Sequence, residues 1–279
     1  MTKKLFAFFV LFAMVMLLPL QADAVGSLSI TPWRIVFGPR DRSASVELLN
    51  TSDQQNIYRM GWMLTKATAD GKYEESFYHP EQDKDPYSVP KMVISSPRQV
   101  TIEPHGEQVV RLSLRRPADL PPGEYRAHIT FIKVADTRPE AQDPNAKTVS
   151  MQLNVNYGFS IPVIVRQGED KDLKVSIHSP KLVPVKGGTI MRLDLHRDGG
   201  KFSSYGEIDV YWKPPHGEEK KIGYMANITV FPEVQTRKII VPLLKNLDIK
   251  GGTIRVAYVG KLEAEGTTWA ENTFPVGEK

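Results

Sequence analysis

The chain has 279 residues, of which 41% are hydrophobic and 24% are charged, and its net charge at pH 7 is +4. Because this positive excess is small and no basic run occurs, the composition does not indicate nucleic-acid binding. The absence of cysteine excludes a thiol nucleophile, thiolate metal ligands and disulfide bonds. A chain of this length can hold two domains of ordinary size and bury a core in each without disulfides.

The first predicted element is a targeting segment, residues 1–24. Two lysines precede an unbroken apolar run, residues 5–20, and the tripeptide Ala22-Asp23-Ala24 provides a cleavage site with small residues. The run is shorter than the roughly 20 residues that a helix needs to span a bilayer. We therefore predict cleavage of a signal peptide after Ala24 and an exported, soluble protein.

The rest of the chain is predicted to be all-β. Short runs rich in valine, isoleucine, threonine and aromatic residues alternate with glycine, proline, asparagine and aspartate. No window of eleven residues keeps a helical period. Residues 25–166 match an immunoglobulin-like sandwich. After a polar break at residues 166–172, the block 167–279 reads as another small β-sandwich or barrel.

One predicted strand is unusually long. In TVSMQLNVNYGFSI, residues 148–161, every second residue is apolar. At about 3.3 Å per residue it would extend roughly 46 Å, against about 17–20 Å for an ordinary strand. Part of its apolar face therefore lacks an evident partner. Alternation alone leaves an ordinary half-buried strand and a strand donated to another chain equally open. The polar loop before it, residues 135–147, is either a solvated connection or a lead-in to an interaction strand.

Sequence motifs for catalysis and metal binding are absent. The six histidines have no metal-ligand spacing, and no nucleophile elbow, phosphate-binding loop or dinucleotide fingerprint occurs. We predict a protein that is not an enzyme and needs no metal, cofactor or small-molecule substrate. The scattered tryptophans favour core packing, with a sugar-stacking platform as the alternative; they are Trp33, Trp62, Trp212 and Trp269.

Several segments, in order, resemble the periplasmic pilus-assembly chaperones of the chaperone–usher pathway. They are ITPWRIVF, VELLNTSDQQNIYRMGWM, VTIEPHGEQVVRLSL, LPPGEYRAHITF and the alternating segment running into PVIVR. The resemblance covers nearly the whole predicted mature chain and is strongest in the first domain. SSYGEIDVYW and RKIIVPLL in the second block are more similar to the archaic branch of this family.

The resemblance implies two immunoglobulin-like domains in a boomerang arrangement, located in the periplasm. Such chaperones bind pilin subunits that lack a strand, complete them with a donor strand, here residues 148–165, and deliver them to an outer-membrane usher. The resemblance leaves open whether the free protein forms a dimer that covers its own donor strand. The donor side chains would be Val149, Met151, Leu153, Val155 and Tyr157.

The resemblance also assigns charged residues. Arg34 would anchor the terminal carboxylate of the pilin subunit, but the lysine that accompanies this arginine in the family is replaced by Pro162. A salt bridge between the domains would join Glu124, Arg166 and Asp248.

The alternative interpretation is an exported immunoglobulin-like adhesin or carbohydrate-binding module. It predicts an exposed tryptophan platform and glycan binding without a protein client.

Overall fold

The computed structural model describes residues 28–134, 157–245 and 247–277. The predicted signal peptide and the loop 135–147 lie outside these ranges, as do the donor positions Val149, Met151, Leu153 and Val155. Within the described ranges, no helix has the length and apolar character needed to cross a membrane.

The first sandwich is built from ten described strands and one short helix, α1 (Val89–Met92). The strands are β1 (Leu28–Thr31), β2 (Ile35–Phe37), β3 (Ser43–Asn50), β4 (Asn56–Ala67), β5 (Tyr73–Phe77), β6 (Val93–Ser96), β7 (Gln99–Ile102), β8 (Glu107–Leu114), β9 (Gly123–Lys133) and β10 (Gly158–Gln167).

These strands form two sheets. One has the order β1-β3-β8-β6; the other has the order β2-β10-β9-β4-β5, with β7 also paired to β4. β2 runs parallel to β10, and the other pairs are antiparallel. Their apolar faces enclose one core that includes Val46, Leu48, Tyr58, Leu112 and Phe131. This is the packing of two facing sheets expected of a β-sandwich.

β10 contributes the end of the long alternating segment to that core. Ile161, Val163 and Val165 are buried, and Phe159 packs against the same cluster. The register pairs Gly158 with Ile132 of β9 and continues to the end of β10. The downstream part of the alternating apolar face is therefore used within its own domain.

The second sandwich contains seven described strands and a 3₁₀ helix (Leu262–Ala264). The strands are β11 (Val175–Val185), β12 (Gly188–Arg197), β13 (Ser204–Lys213), β14 (Lys220–Val230), β15 (Thr236–Pro242), β16 (Thr253–Gly260) and β17 (Thr268–Pro275). They form sheets of order β11-β12-β15 and β14-β13-β16-β17. Alternate residues of these strands meet in a second core, which includes Leu195, Val210, Val241, Val256 and Tyr258. The chain thus has two β-sandwiches, as the strand pattern predicts.

A small apolar cluster joins the two sandwiches at the end of β4. Ala67 packs with Phe231 and Val234 of the second domain. The turn that follows β4 is tied to β15, because the N–H of Lys238 donates to the carbonyl of Ala69 at 2.8 Å. This contact holds one end of the domain junction closed.

Candidate functional site

Arg34 lies on the first sandwich where it faces the second. It directly precedes β2, whose parallel pairing with β10 begins at Ile35 and Val163. The same register places Arg34 beside Pro162, one residue before β2 begins and in the middle of β10. The side chain of Arg34 is 3% exposed, an unusual environment for a charge that is not paired.

The guanidinium of Arg34 has two partners in the second domain. Its Nη2 donates to Oε1 of Glu263 at 2.9 Å, and its central carbon lies 4.5 Å from the ring centroid of Tyr205. Its Nε is buried and has no hydrogen-bond partner in the structure. The predicted anchor is thus at the junction of the domains, with an internal carboxylate already bound to it.

Glu124 and Arg166, the pair expected to bridge the domains, are register partners on β9 and β10. The Nε of Arg166 donates to Oε2 of Glu124 at 3.0 Å. The same oxygen accepts from Ser203 of the second domain, from its N–H at 3.0 Å and from its hydroxyl at 2.9 Å. Arg166 also donates to the carbonyl of Ser203 at 3.1 Å. The Glu124–Arg166 pair therefore holds the first strand of the second domain's larger sheet.

Asp248 is not at this junction, which corrects the predicted third member of the bridge. It lies before the start of β16 and pairs with Lys250 at 2.6 Å, with 73% of its side chain exposed. The acidic residue at the junction is Glu263, which follows the end of β16 and lies 3.5 Å from Arg166. The reason is strand direction: antiparallel pairing brings the end of β16, at Gly260, beside the start of β13.

A second ion pair crosses the junction near the apolar cluster. Arg126 pairs with Glu233 and lies 3.7 Å from the ring centroid of Phe231. Glu233 also accepts from the N–H of Ala67 at 3.0 Å. Burial alone would raise the pKa of Glu233, but its hydrogen bond to Arg126 and the charge of that residue lower the pKa overall. Neither Arg126 nor Glu233 belongs to a sequence motif, so this contact was not predicted from the sequence.

His128 is a buried titratable group beside the anchor. It is the register partner of Pro162, and its Nδ1 lies 3.0 Å from the hydroxyl oxygen of Thr65. Burial, followed by the charges of Arg126 and Arg34, lowers the pKa of His128 to about 4. The side chain is therefore neutral at pH 7.

The depressed pKa of His128 predicts acid sensitivity. The unfolded chain takes up a proton near the ordinary histidine value of 6.5, whereas the folded chain does so only near pH 4. The stabilisation from neutral His128 is thus complete above about pH 6.5 and is lost as pH falls to 4, a change of about 3 kcal/mol. Denaturant unfolding of His128→Gln should lack this pH dependence. The exposed-histidine control His79→Gln should retain it; an unchanged pH profile in His128→Gln would contradict the assignment.

Tyr157 is the predicted donor residue that the structure describes. It is half-buried, its carbonyl accepts from the N–H of Lys133 at 3.1 Å, and its ring lies 6.3 Å from that of Phe159. The described pairing of β10 with β9 ends at this point. The other four predicted donor residues lie outside the described ranges.

The tryptophans are distributed over both domains. Trp62 packs against the first core, and Trp212 and Trp269 pack against the second. Trp33 is 47% exposed and its ring lies 5.8 Å from that of Tyr205. In the described part of the chain, no three histidine, aspartate or glutamate side chains converge in a way that could hold a metal ion.

Comparison with known proteins finds similarity among solved structures. No protein-family model and no curated protein matches the sequence. One similar structure is the complex of the chaperone CsuC with the tip subunit CsuE, from archaic chaperone–usher Csu pili of Acinetobacter baumannii; identity is 12%, coverage is 91% of this chain and 100% of the matched chain, and the TM-score is 0.45.

Two other similar structures are also chaperones. The class 5 fimbriae chaperone CfaA is 13% identical over 89% of this chain and 98% of its own, with a TM-score of 0.45. The periplasmic chaperone SfaE is 11% identical over 88% of this chain and 98% of its own, with a TM-score of 0.41.

The chemistry that this junction supports best is carboxylate binding. The planar guanidinium of Arg34 can hold a carboxylate through two parallel hydrogen bonds, and Glu263 demonstrates that a carboxylate fits beside it. A cavity of about 190 Å³ adjoins this pair and is lined by residues that include Arg166, Tyr205, Glu263 and Trp269. The cavity thus reaches the carboxylate bound to Arg34 and the neighbouring Arg166, while the Arg34 guanidinium itself lies buried behind Glu263.

Proposed function

We propose that this chain is a periplasmic chaperone of pilus or fimbrial subunits. It would bind a subunit whose own sandwich lacks a strand, complete that sandwich with residues 148–157, and pass the subunit to an outer-membrane usher. In this role the protein is not an enzyme and uses no cofactor.

The main support is the length of one alternating apolar pattern. Phe159 and Ile161, at its downstream end, pack on the first domain's own core. Upstream of Tyr157 the sequence continues the same alternation for nine more residues, 148–156. The whole pattern is longer than a strand of an ordinary sandwich needs. A long apolar strand face is an aggregation hazard unless a neighbouring strand or a partner covers it.

The position of Arg34 adds a second line of support. The proposed donor residues run directly into β10, which passes Arg34 at Pro162. A client strand that pairs along this segment as far as Pro162 would therefore end near the buried guanidinium. A terminal carboxylate at that point would fix the register of the two strands, which alternation alone specifies only to within two residues.

The donor strand can be tested with variants of its two faces. Leu153→Ala with Val155→Ala should reduce recovery of a co-expressed fimbrial subunit from the periplasm at least about a hundredfold, since each buried side chain contributes roughly 1.5–3 kcal/mol. Gln152→Ala with Asn154→Ala alters the opposite, polar face and should leave recovery unchanged. Both variants should retain the unfolding midpoint of the parent. Normal recovery with the apolar-face variant would refute strand donation.

The alternative of a carbohydrate-binding module is less well supported. Three of the four tryptophans are half-buried and pack against the cores, so they do not form an exposed platform. Trp33 is the exposed one, and it lies against Tyr205 at the domain junction. Specific signals on a glycan array, together with no recovered protein client, would favour the alternative.

A further inference from the structure

Glu263 occupies the position that the proposed client carboxylate would need. Its Oε1 lies 2.9 Å from Nη2 of Arg34 and 3.5 Å from Nη2 of Arg166. The Arg34 side chain is 3% exposed and that of Glu263 is 22% exposed. A single carboxylate oxygen thus contacts the proposed anchor and the arginine of the domain bridge at the same time.

The segment that carries Glu263 is short and lies at the surface. Glu263 is the middle residue of the three-residue 3₁₀ helix between β16 and β17. The preceding residue, Leu262, has a positive φ of 56° and is 53% exposed. Backbone hydrogen bonds hold the connection itself, among them that from the N–H of Lys261 to the carbonyl of Tyr205 at 3.3 Å. The Glu263 side chain is partly exposed, so it can change rotamer without unfolding the connection.

The surroundings allow an exchange of carboxylates. The cavity of about 190 Å³ has both Glu263 and Arg166 in its lining. If Glu263 leaves Arg34, its carboxylate can remain paired with Arg166, so neither charge becomes isolated. The buried Nε of Arg34, which has no hydrogen-bond partner, supplies a second donor for the carboxylate that enters.

We propose that Glu263 is an internal ligand of Arg34, and that the client's terminal carboxylate binds by displacing it toward Arg166. This inference rests on the proposed function. The exchange keeps Arg34 paired at every stage, which avoids the cost of an isolated buried charge. It also lowers the affinity of the anchor for carboxylates in general, because only molecules with Glu263 displaced are competent to bind. A client that also contributes a strand can meet this cost at low concentration, whereas a small carboxylate binds only when its concentration is high.

Acetate provides a test that needs no client. The probe is sodium acetate, titrated into the full mature chain while the Nε–H resonance of Arg34 is followed by NMR, with acetamide as the uncharged comparison. Glu263→Gln should respond to about tenfold less acetate than the parent, because the competing internal charge is gone. Acetamide should have no effect on either protein. Equal acetate midpoints for the parent and Glu263→Gln would overturn the proposal.

The matched control is Glu265→Gln. Glu265 lies two residues further along the same connection, is 68% exposed at its side chain and approaches Lys261 at 4.0 Å. Its replacement removes the same charge and should leave the acetate midpoint at the parent value; an equal gain in Glu265→Gln would reduce the effect to general electrostatics and overturn the proposal. Should Glu263→Gln fold poorly, Glu263→Asp retains the charge on a shorter side chain and should give a midpoint below that of the parent.

The acetate titration tests the exchange at Arg34, and the recovery of subunits from the periplasm tests the chaperone function, so each proposal can be disproved without the other. Tighter acetate binding by Glu263→Gln without any recovered subunit would disprove the chaperone function and leave the exchange at Arg34 intact. Subunit recovery by the parent, together with equal acetate midpoints for the parent and Glu263→Gln, would support the chaperone function and disprove the exchange at Arg34.

Discussion

Arg34→Ala is expected to abolish recovery of the client subunit. In the proposed complex the client's terminal carboxylate is buried against the Arg34 guanidinium, and loss of one partner from a buried charge pair costs about 2–5 kcal/mol. The expected loss of affinity is therefore at least about thirtyfold, and the rate of dissociation should carry most of it. The measurement is co-purification of a co-expressed subunit, followed by dissociation kinetics of the purified complex.

Folding and binding have to be separated in this experiment. Arg34→Ala also leaves Glu263 with one partner fewer at the junction, so the single variant should lose stability. The double variant Arg34→Ala, Glu263→Gln removes both charges of the pair and should recover much of the lost stability without recovering the client. Arg34→Lys keeps the charge but lacks the planar fork, and should bind the client weakly. Full activity of the double variant would place the anchor elsewhere.

The sequence was sufficient to predict the architecture. Alternation with a period of two, together with turn residues between short runs, reports how each strand packs on its own sheet. This information is local, and the strands of both sandwiches follow it. The long alternating segment is the instructive exception. Its pattern is uniform over residues 148–161, so the sequence alone does not show that Phe159 and Ile161 pack on the domain's own core.

The charged junction was less accessible to sequence reasoning. The resemblance assigned Glu124 and Arg166 to one bridge, and the two residues lie side by side on the neighbouring strands β9 and β10. The third member was assigned to Asp248, although the structure has Glu263 at that position. Both are acidic residues in turn-rich connections at opposite ends of β16. Local pattern does not say which end of a strand faces the other domain. The antiparallel pairing of β13 with β16 would have pointed to the end that carries Glu263.

The contact between Arg126 and Glu233 was even harder to predict from the sequence than the position of Glu263. The two residues are 107 positions apart, and neither belongs to a motif. Ion pairs between domains depend on how two independent cores are oriented, and that orientation is a non-local property of the fold. The orientation of the two domains brings Phe231 against Ala67 and under the Arg126 guanidinium, so the ion pair and the apolar contact form together.

The Glu124–Arg166 pair should have the largest effect on the junction itself. Glu124 has 1% of its side chain exposed, and its Oε2 accepts hydrogen bonds from Arg166 and from the N–H and hydroxyl of Ser203. Arg166→Ala would leave this carboxylate buried without its cation, which costs about 3–5 kcal/mol. At about 2–4 °C per kcal/mol for a protein of this size, the midpoint of thermal unfolding should fall by roughly 10 °C.

A double variant separates the loss of the ion pair from the cost of leaving one charge isolated. Glu124→Gln with Arg166→Met removes both charges, keeps similar side-chain volumes, and should be less destabilised than Arg166→Ala, because no isolated charge remains. The control is Arg255→Ala, which breaks more exposed pairs with Glu219 and Glu271 on the second sandwich and should cost about 1 kcal/mol or less per pair. We expect the pair to fix the angle between the domains, because it binds Ser203 of the second domain. Arg166→Ala should therefore broaden the distance distribution in small-angle X-ray scattering, whereas Arg255→Ala should not. A thermal midpoint and a scattering profile unchanged in Arg166→Ala would mean that the contacts of Arg126 and Ala67 hold the domains on their own.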